Sequence, residues 1–144
     1  MSIALDEART AFEVGEVPVG AVLSARDGTI IARAGNAMRR SSDPTAHAEM
    51  LVIREAARKL ANERLTDCDL HVTLEPCAMC AAAISFARIR RLYYGAEDEK
   101  QGAVDNGPRF FSSSACHHAP EVYGGICERE AADLMRRFFA ARRL

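Results

Sequence analysis

The chain has 144 residues, with 19 basic and 20 acidic side chains and a net charge of −1. This length predicts one domain over 1–144, and an apolar fraction of 49% excludes wholesale disorder and collagen. The longest uncharged stretch, 76–87, is shorter than the roughly twenty residues of a membrane-spanning helix, and the acidic N-terminus is unlike a signal peptide. We therefore expect a cytoplasmic protein without a membrane segment. The near-zero net charge disfavours a DNA duplex as a partner.

The N-terminal part of the chain predicts a helix followed by a β-hairpin. Apolar residues at helical spacing predict a helix over 3–13, which ends at Gly15. The apolar, β-branched run 17–25 predicts a buried strand. A turn at 26–29 joins that strand to a second one at 30–32, which is the pattern of a hairpin.

A long helix is predicted over 44–62. Asp43 is suited to the N-cap, and Pro44 to the first helical position, where no N–H is needed. The rest of the chain alternates strands with helices, which favours a layered α/β sandwich. The remaining predicted elements are strands at 70–74, 91–94 (ended by Gly95) and 121–123, and helices at 77–87 and 128–143.

The helix predicted over 77–87 has no polar face. Alanine, methionine, isoleucine and phenylalanine occupy every side of it. A helix that is apolar all round is buried on all sides. It is therefore either the central helix of the core or partly buried in an interface between subunits.

Five cysteines are present, and Cys77 and Cys80 are the pair best suited to bind a metal. Cysteines three apart lie on one side of a helix, and a helix N-terminus lowers the pKa of a thiol. Such a pair is compatible with a redox dithiol, a structural zinc site or a catalytic zinc site. A redox dithiol is expected after the first strand of a thioredoxin-like domain, whereas this pair comes after several predicted elements. The structural site needs four protein ligands, and the further ones would have to come from 116–118 or from the distant Cys68 and Cys127.

A catalytic zinc site needs three protein ligands and an open position for water, and His47 can supply the third. His47 lies in the first turn of the helix predicted over 44–62. Residues two apart point roughly 200° apart on a helix, so the spacing disfavours Glu49 as a further ligand. A hydrolytic zinc enzyme needs such a carboxylate outside the ligand set to move protons, but the spacing alone does not bring Glu49 to the metal.

These segments resemble the cytidine/deoxycytidylate deaminase superfamily. His47-Ala48-Glu49 and Pro76-Cys77-Ala78-Met79-Cys80 match its H-x-E…P-C-x-x-C signature. The resemblance covers nearly the whole chain and is strongest to the bacterial tRNA-specific adenosine deaminases. The run Thr-Leu-Glu-Pro-Cys-Ala-Met-Cys at 73–80 differs from the Ser-Cys-Glu-Pro-Cys-Pro-Met-Cys that is typical of guanine deaminases. Further matching stretches are 16–22, 35–36, 43–49 and 94–96.

The resemblance implies an α/β fold, a three-layer α/β/α sandwich with a mixed five-stranded sheet, and a homodimer. It implies one Zn²⁺ per chain, bound by His47, Cys77 and Cys80, with Glu49 as the catalytic proton shuttle. Asn36 and the backbone of Ala48 are implied to read the flipped base. Three residues are implied to border an RNA anticodon loop, namely Asp98, Phe138 and Phe139.

The implied function is zinc-dependent hydrolytic deamination of adenosine to inosine at the wobble position of a tRNA anticodon, in an arginine tRNA. A single-stranded loop suits a protein without a large basic surface, and arginines at 136, 137, 142 and 143 offer local positive charge. One alternative is a deaminase of a free nucleobase or nucleotide, such as guanine or cytosine. The other is a non-catalytic, zinc-stabilised binding module, which predicts a fourth ligand from Cys116 or His118.

Overall fold

A five-stranded sheet forms the middle layer of the computed structural model, which describes residues 1–142. The strands are β1 (Gly20–Ala25), β2 (Ile30–Gly35), β3 (Cys68–Leu74), β4 (Arg91–Ala96) and β5 (Glu121–Tyr123). The helices are α1 (Ser2–Glu13), α2 (Ala48–Leu60), α3 (Ala78–Ala87) and α4 (Glu128–Arg142), with a 3₁₀ turn at Phe110–Ser112. The predicted end of the last helix at Arg143 lies outside the described residues.

The sheet has the order β2-β1-β3-β4-β5 and mixes both strand directions. β1 is antiparallel to β2 and β3, whereas β3, β4 and β5 run parallel. Val52 of α2 and Ile84 of α3 share the main core with Leu70 of β3. Leu5 of α1 and Leu134 of α4 form a second, smaller cluster. The helix pairs α1–α4 and α2–α3 thus form the outer layers, which confirms the predicted three-layer α/β/α sandwich.

Two glycines let the α1–α4 layer approach the sheet closely. A Cβ at Gly20 would lie 2.0 Å from the carbonyl oxygen of Ala4 in α1. A Cβ at Gly95 would lie 3.0 Å from the Cβ of Ala131 in α4. The prediction that Gly95 ends its strand is therefore wrong: β4 continues to Ala96, and the glycine provides room for α4 and not a turn.

The predicted start of α2 is also wrong. Asp43 does not cap this helix, because its Oδ1 accepts hydrogen bonds from the N–H and the hydroxyl of Thr45, at 2.8 and 2.7 Å. These bonds close a local turn of the Asx type. His47 is the true N-cap, with extended backbone angles of φ −70° and ψ 149°, and Ala48 is the first helical residue.

The first strand likewise begins later than predicted, at Gly20 and not at residue 17. The N–H of Val19 bonds to the carbonyl of Val17 at 2.8 Å, which closes a tight turn where the strand was expected. The hairpin turn at 26–29 and the strand after it are confirmed, since β1 and β2 pair as antiparallel neighbours.

Helix α3 is not buried on all sides in the single chain. Cys80, Ala81 and Ile84 are fully buried, but Phe86 is 79% exposed. Of the two expectations for this helix, burial at the centre of the core is wrong. Among the described residues, no helix has both the length and the apolar character needed to cross a membrane.

Candidate active site

The N-termini of α2 and α3 meet at the carboxyl end of β3. His47 caps α2 and Cys77 caps α3, each in extended conformation, and the two helices pack against each other. Cys80 lies one turn into α3 and is fully buried. A helix N-terminus carries partial positive charge, so two of them together favour anionic sulfur at this point.

The three predicted ligands point their donor atoms at one point in space. The Nδ1 atom of His47 lies 3.6 Å from the Sγ of Cys77 and 3.5 Å from the Sγ of Cys80. A tetrahedral zinc with ordinary Zn–N and Zn–S bond lengths separates such atoms by about 3.6 Å. Within residues 1–142, these three residues are the one group of candidate ligands whose donor atoms lie within 4.8 Å of one another. The cluster fits a single zinc ion.

The two thiols of the cluster influence each other strongly. The hydrogen bond with Cys80 lowers the pKa of Cys77 to about 4, with a further contribution from His47. The same partnership, together with burial, raises the pKa of Cys80. The contact between the two thiols thus makes Cys77 easier to ionise and Cys80 harder to ionise. A divalent cation between the sulfurs favours ionisation of both thiols, which is the state in which cysteine binds zinc.

Glu49 is a buried carboxyl group beside the cluster but outside it. It lies in the first turn of α2 and is only 4% exposed. Burial raises the pKa of its carboxyl group to about 7, against the opposing influence of its backbone hydrogen bond and of His47. Glu49 does not belong to the group of candidate ligands in the described chain. A carboxyl group of this pKa can both accept and donate a proton near neutrality.

Glu75 is a site residue that sequence reasoning missed. Its carboxylate is 2% exposed and accepts five hydrogen bonds. Oε1 accepts the backbone N–H of Asp98 at 3.1 Å and the side-chain amide of Asn106 at 2.7 Å. Oε2 accepts the N–H groups of Val104, Asp105 and Asn106 at 2.9–3.0 Å. Although burial alone raises it, these bonds hold the pKa of Glu75 below its usual value.

Glu16 is a second buried carboxylate that orders backbone. It is also fully buried, and its two oxygens accept the N–H groups of Arg39 and Arg40 at 3.1 and 2.8 Å. The segment that leads to His47 is thereby tied to the residues between α1 and β1. One signal in the sequence could have found both carboxylates: each stands next to a buried strand in an otherwise apolar run.

Ala48, one of the two residues implied to read the base, follows the candidate ligand His47 directly in the chain, whereas Asn36 lies eleven residues before it. Asn36 is buried directly after β2, and its N–H bonds to the carbonyl of Val19 at 2.9 Å. The next N–H, of Ala37, bonds to the carbonyl of Ala46 at 3.0 Å. This pairing brings the end of β2 beside the start of α2.

The residues implied to border RNA differ in how accessible they are. Asp98 lies in the loop after β4, where its Oδ1 accepts the N–H groups of Lys100 and Gln101 at 3.1 Å. Phe138 is buried, packed edge-on against Phe12 of α1. Phe139 is 44% exposed. Of the two aromatic rings, Phe139 is therefore the one available to a partner.

The segment 116–118 lies away from the cluster. The Sγ of Cys116 is 3.5 Å from the Oγ of Ser85, near the C-terminal end of α3. The Nε2 of His118 is 2.8 Å from the carbonyl oxygen of Ile89, beyond that end. The metal cluster is at the opposite end of the same helix. Neither Cys116 nor His118 is in position to be the fourth ligand of a structural site.

Comparisons with known proteins agree with this arrangement. Residues 1–96 match the cytidine and deoxycytidylate deaminase zinc-binding region. The tRNA-specific adenosine deaminase of Agrobacterium fabrum is 62% identical over 144 residues, which is 100% of this chain and 94% of that protein.

Two solved structures extend the comparison. A tRNA:A34 deaminase, studied for A-to-I editing at the wobble position of transfer RNA, is 63% identical with a TM-score of 0.91, over 93% of this chain and 96% of the other. A guanine deaminase from Bacillus subtilis is 30% identical with a TM-score of 0.63, over 98% and 90%. The fold is thus shared by both, and the greater similarity is to the tRNA deaminase.

Proposed function

The chain belongs to the cytidine and deoxycytidylate deaminase family and is a hydrolytic deaminase, and we propose that it converts adenosine to inosine at the wobble position of a tRNA anticodon. One observation carries the chemistry: three convergent zinc ligands lie beside a buried carboxyl group that is not a ligand. The substrate is inferred from the identity of 62% with a tRNA-specific adenosine deaminase along the entire chain.

The site residues divide the work of hydrolysis. His47, Cys77 and Cys80 would hold the zinc ion, which supplies an acidified water and polarises the reacting centre when bound. Glu49 accepts a proton from the attacking water and donates it to N1 of adenine. As the new C6–O bond becomes a carbonyl, Glu49 passes the hydroxyl proton to the departing amino group, which leaves as ammonia.

The substrate residues follow from the family resemblance and from their positions. We propose that Asn36 and the backbone of Ala48 contact the extruded base, because Ala48 follows His47 in the chain and the bond from Ala37 to Ala46 brings the segment of Asn36 next to the start of α2. We propose that Asp98 and Phe139 border the anticodon loop. Phe138 contributes indirectly, since it is buried beneath Phe139 and supports it edge-on.

We propose that two copies of the chain form a homodimer through α3. Its exposed side includes Phe86, which is 79% exposed, and the partly exposed Ala82 and Ala83. A second subunit would remove this apolar surface from water.

The reaction is assigned to the cytoplasm, where tRNA is modified. All five cysteines, each within the described residues, carry free thiols, as is typical of a reducing compartment.

The main alternative substrate is a free base. The guanine deaminase of Bacillus subtilis shares the fold at 30% identity, so the family includes enzymes for such substrates. The experiment is to incubate the purified protein with an arginine-tRNA anticodon stem-loop of anticodon ACG and, separately, with free adenine, guanine and cytosine. We expect inosine and one equivalent of ammonia from the stem-loop alone. Ammonia from guanine or cytosine, without inosine from the RNA, would overturn the proposal.

A matched pair of controls separates catalysis from binding. The same stem-loop with guanosine at the wobble position has no target and should release no ammonia. The Glu49→Ala variant should retain one zinc per chain but form no inosine. Full activity in Glu49→Ala would instead favour a non-catalytic zinc module with contaminating activity.

A further inference from the structure

Glu75 stands between a metal ligand and the loop that carries Asp98. The residue follows β3 directly and precedes Pro76 and Cys77 in the chain. Its carboxylate accepts five hydrogen bonds from neutral amides, and four of them are backbone N–H groups spread over 98–106. A carboxylate has about four lone-pair sites, so this one is fully used in ordering the loop.

The loop ordered by Glu75 also contacts the ligand segment itself. The N–H of Ala103 bonds to the carbonyl of Pro76 at 2.9 Å, and Gly102 forms an isolated antiparallel bridge with Cys77. There is no room for a side chain at Gly102, since a Cβ there would lie 2.6 Å from the carboxyl carbon of Glu75. The loop therefore wraps the carboxylate and lies along the start of α3.

We propose that Glu75 is a positioning residue, whose carboxylate fixes the loop 98–106 against Cys77 and so forms the wall of the site that receives the substrate. The kinetic part of this inference rests on the proposed function. The structural part does not, because it concerns the hydrogen bonds of the loop alone. Glu75 touches neither the metal ligands' donor atoms nor the reacting base in this role, and acts through the loop.

The test is the Glu75→Gln variant, which preserves shape but replaces one oxygen by an NH₂ group. In either orientation of the Gln side chain, the new amide nitrogen faces two or three N–H groups, and it cannot accept hydrogen bonds from them. Leaving buried donors unpaired is costly, so hydrogen exchange at the amides of 104–106 should rise about tenfold or more. The KM for the stem-loop should rise about tenfold with a smaller fall in kcat, while zinc stays at one per chain.

Asp69→Asn is the matched control. Asp69 is a buried carboxylate at the other end of the same strand, paired with Arg90. The Asp69→Asn substitution should lower the melting temperature without changing hydrogen exchange at 104–106 or the KM for the stem-loop. Three results would overturn the proposal: wild-type exchange in Glu75→Gln, loss of zinc from Glu75→Gln, or an equal rise in KM in Asp69→Asn.

A milder variant keeps the inference testable if Glu75→Gln does not fold. Asn106→Ala removes one of the five donors and leaves the carboxylate and the backbone bonds. Exchange in 104–106 and the KM should rise in the same direction, by about threefold; no change in exchange would contradict the proposal. If no variant or wild-type protein deaminates the stem-loop, the proposed substrate is wrong, and the exchange data still decide the role of Glu75.

Discussion

The two ends of β3 hold buried carboxylates in different ways. At the amino end, Asp69 is paired with the guanidinium of Arg90, at 2.9 and 2.6 Å. At the carboxyl end, Glu75 accepts only neutral amides, and these come from a loop. The first arrangement joins two side chains and stabilises the fold. The second orders backbone next to the metal ligands, so the end of the strand that carries the chemistry is also the end where side-chain charge organises the main chain.

The largest effect should follow from changing a ligand. Cys77→Ser replaces an ionisable thiol by a hydroxyl that does not ionise at neutral pH. We expect zinc content to fall from one per chain to near zero, with loss of activity and a lower melting temperature, as measured by metal analysis and thermal unfolding. Cys68→Ala is the control at the amino end of β3, where it lies outside the cluster, and should retain zinc. Retention of zinc in Cys77→Ser would contradict the assigned ligand set.

Glu49→Gln should remove catalysis while leaving the metal in place. The amide cannot shuttle protons, and general acid–base catalysis contributes about 10²–10⁴ in rate, so kcat should fall by that factor. Glu55→Gln, on the same helix but paired with Lys59 at the surface, is the comparison and should keep its activity. A zinc-free Glu49→Gln protein would show that Glu49 is needed for binding the metal.

Arg90→Leu should affect stability alone. It leaves the buried Asp69 carboxylate without its partner, which is strongly unfavourable, and the melting temperature should fall clearly. The exposed pair Arg26–Asp67 provides the control, because surface ion pairs contribute little and Arg26→Leu should change almost nothing. A changed KM in Arg90→Leu would contradict the view that the amino end of β3 affects stability alone.

The smallest effect is expected from His71 in the middle of β3, and it concerns how stability depends on pH. Burial, with a further contribution from the amino group of Met1, lowers the pKa of His71, which stacks on Tyr93. The unfolded chain then binds more protons than the folded one near pH 6, so this group makes stability rise with pH until both forms are neutral, above the unfolded pKa of about 6.5. His71→Gln should flatten the rise in urea midpoint between pH 5 and 7. An unchanged slope of urea midpoint against pH in His71→Gln would contradict this prediction.

Local patterns in the sequence were sufficient for most elements, and they indicated Cys77 and Cys80 as the cysteine pair best suited to bind a metal. The hairpin turn at 26–29 and the apolar spacing of the helices require only near neighbours in the chain. They failed at Asp43, which has the side chain of an N-cap but bonds to Thr45 instead. Two local structures compete for the same oxygen there, and periodicity does not decide between them.

The roles of the buried carboxylates depend on contacts that are distant in the chain. The sequence by itself offered His47, Cys77 and Cys80 as candidate zinc ligands, through the resemblance of their motifs to a known zinc-binding signature. Only the tertiary structure decided that His47 caps its helix, that Phe86 stays exposed, and that Glu75 orders a loop. The donors to Glu75 come from residues 23–31 positions further along the chain. Hydrogen bonds over such separations depend on how the loop folds back, so a local sequence pattern does not predict them.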